Sequence, residues 1–152
     1  MQELASLVDP LLELCREAGA LICRHYHAPG NDFEYKDDKS PLTLADTESN
    51  ALLQAGLAAL DMQLPILSEE SPPSDLVGRR SWKRFWLVDP LDGTREFLAG
   101  TGEFTINIAL IEDHRPVLGV LYLPLEQTAF VGIPGLVAHR YQYLPQGHWQ
   151  RH

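Results

Sequence analysis

The sequence is expected to fold as an α+β domain, with two N-terminal helices packed on one face of an antiparallel β-sheet. Three observations lead there. Apolar residues recur at helical spacing through the N-terminal part of the chain. From Phe104 onward they alternate with period two. The strand-like segments of that later region follow one another across short turns, which pairs neighbours antiparallel. A chain of 152 residues is one domain by length.

The first helix is expected over residues 2–27, where Leu4, Leu7, Leu11, Leu14, Cys15, Ala18, Leu21 and Ile22 form its apolar face. Asp9 suits a cap and Pro10 a first helical position, so the helix starts or restarts there. His25 and His27 are read as solvated or dipole-facing side chains near its C-terminus rather than as ligands, and Ala28-Pro29-Gly30 ends it. Phe33 to Lys36 is a weak strand, followed by a charged turn to Pro41. A second helix is expected from Asp46 to Leu60, with Ala51, Leu52, Ala55, Ala59 and Leu60 on its apolar stripe. Asp46 then sits at a helix start, where macrodipole and capping alone explain an acid. Leu64 to Leu67 is a short apolar run that ends in Glu69-Glu70. Asp75 to Lys83 is a polar connection.

Phe85 to Val88 is an apolar strand that runs into Asp89 and Asp92. Pro90 between them fixes φ and removes a donor, Gly93 permits an unusual backbone, and Thr94 stands where a helix begins and its hydroxyl could cap it. Asp-Pro-x-Asp-Gly is also ordinary turn chemistry. Two apolar strands that both finish in carboxylates point instead to one shared acidic pocket, able to hold hard cations beside an anion. Further strands are expected over Phe104–Ile111, Val117–Leu123 and Gln127–Gly132. Residues 135–140 keep some strand character, and residues 141–152 are expected to fray.

Composition narrows the partners. The formal net charge is −9, from 21 acids against 12 Lys and Arg, which argues against a nucleic-acid polymer as partner. An acidic protein binds phosphate when cations lie between its carboxylates and the ligand. Cys15 and Cys23 lie roughly 12 Å apart along a helix, too far for a disulfide, and read as small buried hydrophobes of a reducing compartment. Glu3 and Asp9 do not suit the basic start of a signal peptide, and no apolar run is long enough to span a bilayer.

Three motifs in order, Ser40-Pro41-Leu42-Thr43-Leu44-Ala45-Asp46, Leu67-Ser68-Glu69-Glu70-Ser71 and Trp86-Leu87-Val88-Asp89-Pro90-Leu91-Asp92-Gly93-Thr94-Arg95-Glu96-Phe97, resemble the inositol monophosphatase superfamily. Within it, Arg95-Glu96-Phe97 is similar to the Lys-Glu-Phe of the CysQ-type 3'(2'),5'-bisphosphate nucleotidase branch. The resemblance covers about residues 2–135 and implies the N-terminal, metal-binding part of a layered αβαβα fold, with 136–152 a divergent tail and a C-terminal domain missing. It implies two or three magnesium ions. Glu69 and Asp89 would hold the first, with the Leu91 carbonyl; Asp89 and Asp92 the second; Asp46 would lie near a third. Thr94 and Glu69 would orient and deprotonate water, while the Gly93 and Thr94 amides receive phosphate. The implied substrate is adenosine 3',5'-bisphosphate, with its sulfated form or an inositol phosphate as alternatives. A cytoplasmic location, lithium sensitivity and peripheral membrane association are implied in the same way, while homo-oligomers are expected from sheet surface that the missing domain would leave exposed. A competing expectation is a catalytically weak or inactive remnant that still binds metal, because no Trp-Asp motif completes the second site.

Overall fold

A computed structural model describes residues 2–27, 40–60 and 62–152. The elements run α1 (Gln2–Ser6), α2 (Val8–His25), α3 (Pro41–Ala58), β1 (Ile66–Ser68), β2 (Arg84–Asp92), α4 (Thr94–Ala99), β3 (Thr105–Glu112), β4 (Arg115–Leu123), β5 (Thr128–Ile133), β6 (Val137–Tyr143) and β7 (Trp149–Arg151). Short 3-10 turns at Pro73–Leu76 and Arg79–Ser81 fill the β1–β2 connection, which the sequence showed only as polar. The expected weak strand at Phe33–Lys36 and the helix stop at 28–30 lie outside the described residues.

The α+β class holds, with one change of strand direction. All seven strands form one sheet in chain order. Strands β2 to β7 pair antiparallel, but β1 pairs with β2 in parallel, Ser68 opposite Val88. A parallel neighbour needs a crossover, and residues 69–83 provide it. Trp86, Ile106, Ile108, Leu110, Leu118, Val120 and Tyr122 are buried in one core with Leu11, Leu12, Cys15 and Ile22 of α2 and Leu53 and Leu57 of α3.

The helices differ in detail from the sequence expectation. The first is split, with Leu7 as the cap of α2 and Asp9 inside its first turn, making no cap bond. His25 is not solvated: its Nε2 lies 2.9 Å from Glu48 Oε2, joining the end of α2 to α3. Helix α3 starts five residues earlier than expected, because Ser40 Oγ accepts the Thr43 N–H at 3.2 Å and Pro41 occupies the first turn. Asp46 is therefore in the second turn and caps nothing. The same shift rotates the buried row to Ala45, Ser49, Leu53 and Leu57.

Residues 141–152 do not fray. Strands β6 and β7 extend the sheet, with Tyr143 opposite Trp149 and Arg140 exchanging backbone bonds with His152 at 3.3 and 2.7 Å. Trp149 Nε1 donates to Glu13 Oε1 of α2 at 2.8 Å, and its ring meets Tyr122 and Tyr143 edge-on. The Arg16 guanidinium lies 4.9 Å from the Tyr143 ring centre. An irregular apolar pattern hid this segment, because three strand residues cannot show a period. Trp149→Ala is expected to remove about 2 kcal/mol of stability, from the aromatic contacts and a hydrogen bond to a charged acceptor. Calorimetry should show the melting temperature falling by roughly 4–8 °C.

The sheet face opposite α2 and α3 holds Leu87, Leu121 and Phe130, which are 41–48% exposed. They line an open groove of about 840 Å³ that runs from Glu69 and Asp89 across the strands to His139 and Arg140.

Candidate metal and phosphate site

Parallel pairing of β1 and β2 is what gathers the acids. Two parallel strands end at the same sheet edge, so Glu69-Glu70 and Asp89 emerge together, and Glu69 N donates to Val88 O at 3.4 Å. Strand β2 does not stop at Val88 in a turn, as the sequence suggested. It continues to Asp92 through a register shift between Asp89 and Asp92. Such a bulge re-aims side chains without ending the strand. Asp89 stays opposite Asn107, and Asp92 comes opposite Thr105. Asp92 Oδ2 accepts the Asn107 amide at 3.0 Å, and Asp89 Oδ1 accepts the Leu91 N–H at 3.2 Å.

Beyond the bulge, Gly93 has φ 94° and caps α4, so Thr94 is the first helical residue and its hydroxyl makes no cap bond. Helix α4 is held from outside. Tyr26 donates to the Gly100 carbonyl at 2.6 Å, and the Tyr26, Phe97 and Phe104 rings pack together.

The acids act on one another. Burial pushes the Asp46 carboxyl up to about 6, and the charges of Glu70, Asp89 and Glu69 add to the shift. Burial also pushes Asp89 up to about 6, reinforced by Glu69, opposed by the Leu91 N–H, and reinforced again by Asp92 and Glu70. Asp46 from α3, Glu69 and Glu70 after β1, and Asp89 and Asp92 on β2 thus form one like-charged neighbourhood. Among the described residues, no three carboxylate, imidazole or thiol groups already stand in a geometry that holds one ion. The donor set nevertheless fits a hard divalent cation on two counts. Every donor is an oxygen, and a cation relieves the repulsion that raises Asp46 and Asp89. Glu69, Glu70 and Asp92 are exposed, and exposed side chains change rotamer within nanoseconds. The cysteines have no part in this. Cys15 is buried with its thiol pushed up to about 12, and Cys23 to about 11, both by desolvation.

Comparison with known proteins fits this arrangement. The sequence pattern of the inositol monophosphatase family matches residues 3–147. The chain belongs to the inositol monophosphatase family. Among relatives in that family, the 3'(2'),5'-bisphosphate nucleotidase CysQ of Salmonella typhimurium is 44% identical over 130 residues, covering 85% of this chain and 52% of that protein. The Escherichia coli K12 protein of the same name is 43% identical over the same shares. Among solved family structures, CysQ from Bacteroides thetaiotaomicron superposes with a TM-score of 0.77 at 39% identity, over 90% of this chain and 49% of that one. Inositol monophosphatase from Anabaena (Nostoc) gives 0.69 at 26% identity, over 92% and 47%. The chain therefore spans about half the length of the family members it matches. No helix among the described residues is long and apolar enough to cross a membrane.

Sequence reasoning named the acids and missed what holds them. Ser49 Oγ donates to the Pro90 carbonyl at 2.9 Å, and Ser68 Oγ donates to Asn50 Oδ1 at 2.7 Å. Asn107 lies within the expected strand Phe104–Ile111, whose pattern gives it no role, yet it bonds Asp92. A signal for Ser49 existed: it is the one polar member of the row Ala45, Ser49, Leu53, Leu57, which is visible only once α3 is started at Pro41.

Proposed function

We propose that this chain supplies the metal-binding and water-orienting groups of a magnesium-dependent phosphatase. The reaction would be hydrolysis of the 3'-phosphate of adenosine 3',5'-bisphosphate, with water entering and AMP and phosphate leaving, or of its sulfated form, with adenosine 5'-phosphosulfate and phosphate leaving. The observation that carries this reading is the convergence of Asp46, Glu69, Asp89 and Asp92 from three segments onto one strand edge. The names of the relatives supply the substrate class.

Glu69 and Asp89, with the Leu91 carbonyl, would hold one magnesium; Asp89 and Asp92 a second; Asp46 would stand near a third. When bound, such ions neutralise phosphate charge and make water a better nucleophile at neutral pH. The rest falls to the protein. Glu69 would act as the base toward a water that the Thr94 hydroxyl would orient. Amides of the first helical turn have no partner inside the helix, so those of Gly93 and Thr94 are available to the phosphate oxygens. The apolar groove beside Asp89 offers a wall for the uncharged part of a substrate.

A second reading has its own support. Among the described residues the carboxylates do not yet stand in an ion-holding geometry, which suits metal binding without turnover. Phosphate release from adenosine 3',5'-bisphosphate with and without magnesium, with inositol 1-phosphate in parallel, separates the readings. We expect magnesium-dependent release from the nucleotide and little from the inositol ester. Metal binding without release from either supports the non-catalytic reading.

A further inference from the structure

We propose that Ser49 and Asn50 are positioning residues that set the spacing of the acidic side chains by pinning both strand ends to α3. This inference rests on the metal-binding reading above. Ser49 is fully buried and its hydroxyl reaches the carbonyl of Pro90, inside the register shift that follows Asp89. One turn of α3 earlier is Asp46. A single hydroxyl therefore ties the backbone beside Asp89 to the helix that carries Asp46.

Asn50 does the same for the other strand. Its Oδ1 accepts from Ser68 Oγ at 2.7 Å and from Gln54 Nε2 at 3.4 Å. Ser68 is 3% exposed, and its hydroxyl oxygen in turn accepts the Glu70 N–H at 3.3 Å. Ser71 Oγ accepts the Ser68 N–H at 3.2 Å, which closes the turn that presents Glu69 and Glu70. Adjacent residues of one helix thus reach two different strands, each at the position next to its acids. An apolar residue at 49 would fill the core row as well as serine does and would avoid burying a hydroxyl. The serine is explained by its contact with the Pro90 carbonyl, which no β2 neighbour supplies across the register shift.

Like charges held together drift apart unless the backbone beneath them is fixed. Groups that orient metal ligands from behind change affinity by roughly 10–100-fold when removed. The contacts of Ser49 and Asn50 are therefore expected to appear in cation affinity rather than only in stability.

The test titrates the whole chain with manganese alone by calorimetry, beside thermal unfolding without metal. The variants are Ser49→Ala, Ser49→Cys, Asn50→Ala, Asp89→Asn and Thr128→Val. Thr128 is a buried hydroxyl on β5 that bonds Glu126 and Gln142 away from the acids. It controls for loss of stability as such. Ser49→Ala and Asn50→Ala should each weaken manganese binding about tenfold or more, while Thr128→Val lowers the melting temperature and leaves affinity within about twofold. Ser49→Cys keeps the volume and a weak donor, and should fall between; it stands in should Ser49→Ala fail to fold. Wild-type affinity in Ser49→Ala or Ser49→Cys together with Asn50→Ala, with binding lost in Asp89→Asn, overturns the positioning role and leaves the metal site standing. No binding by the wild-type chain overturns both.

Discussion

Asp89→Asn is expected to act in opposite directions on function and on stability. Magnesium-dependent phosphate release should fall by at least about 100-fold, since Asp89 would be shared by two ions and a neutral amide is a poor ligand for a hard cation. The metal-free protein should become more stable at pH 7.5. The sign follows from the raised pKa. A carboxyl whose folded-state value is about 6 holds its proton more tightly in the fold than in the unfolded chain. Stability from this group is present below the ordinary carboxylate value near 4 and is lost as pH rises through about 6. At pH 7.5 the penalty is fully in place, and the amide removes it while still accepting the Leu91 N–H. Asp89 is partly exposed, so after allowance for solvent screening the gain is about 1 kcal/mol, or roughly 2–4 °C in melting temperature. At pH 3.5 wild type and variant should melt together. Equal release by both proteins with magnesium would remove Asp89 from the mechanism. Equal melting at pH 7.5 would show that neither burial nor the neighbouring charges penalise the Asp89 carboxylate.

Gly93→Ala is expected to have the largest effect on the fold near the site. Its φ of 94° lies where a side chain is strained. A Cβ there would come within 2.8 Å of the Glu103 carbonyl and 3.2 Å of the Phe104 Cα, both backbone atoms. Neither can rotate away, so the bulge or the start of α4 must move. Strain and overpacking together should remove about 3 kcal/mol, measurable by urea unfolding. Because the displaced segment joins Asp92 to Thr94, phosphate release should be lost even at temperatures where the variant stays folded. A variant with unchanged stability and activity would show that the backbone here is not held as described.

These two residues were readable in advance for a physical reason. Asp-Pro-Leu-Asp-Gly-Thr concentrates fixed backbone preferences and charges in six positions, so few arrangements suit it. The β3 to β5 strands were legible because each buries one face and exposes the other, which writes period two into Ile106, Ile108 and Leu110. What stayed hidden depends on contacts distant in sequence. The direction of β1 was invisible, since three residues of strand carry no mark of which neighbour they join. The start of α3 was misplaced because Asp46 makes a plausible cap, and only the bond from Thr43 to Ser40 shows which cap is used. The ordering of 141–152 depends on Glu13 and Arg16, far back in the chain. The acids were visible through their charge; Ser49 and Asn50 were not, since a serine or asparagine on a helix carries no sign of where its hydrogen bonds go.

A sheet whose spatial order repeats its chain order has a kinetic corollary. From β3 to β7 every pairing closes a short loop, and the Asp113-His114 turn, with φ of 47° and 65°, joins β3 to β4 with only two residues. Ring-closure entropy rises with loop length, so these pairings are entropically cheap. The costly closures are those that bring α2 onto the sheet, against β4 and, at Glu13 and Trp149, across 136 residues. Assembly should therefore zip from hairpin to hairpin through β3 to β7, with α2 fastened onto the finished sheet last.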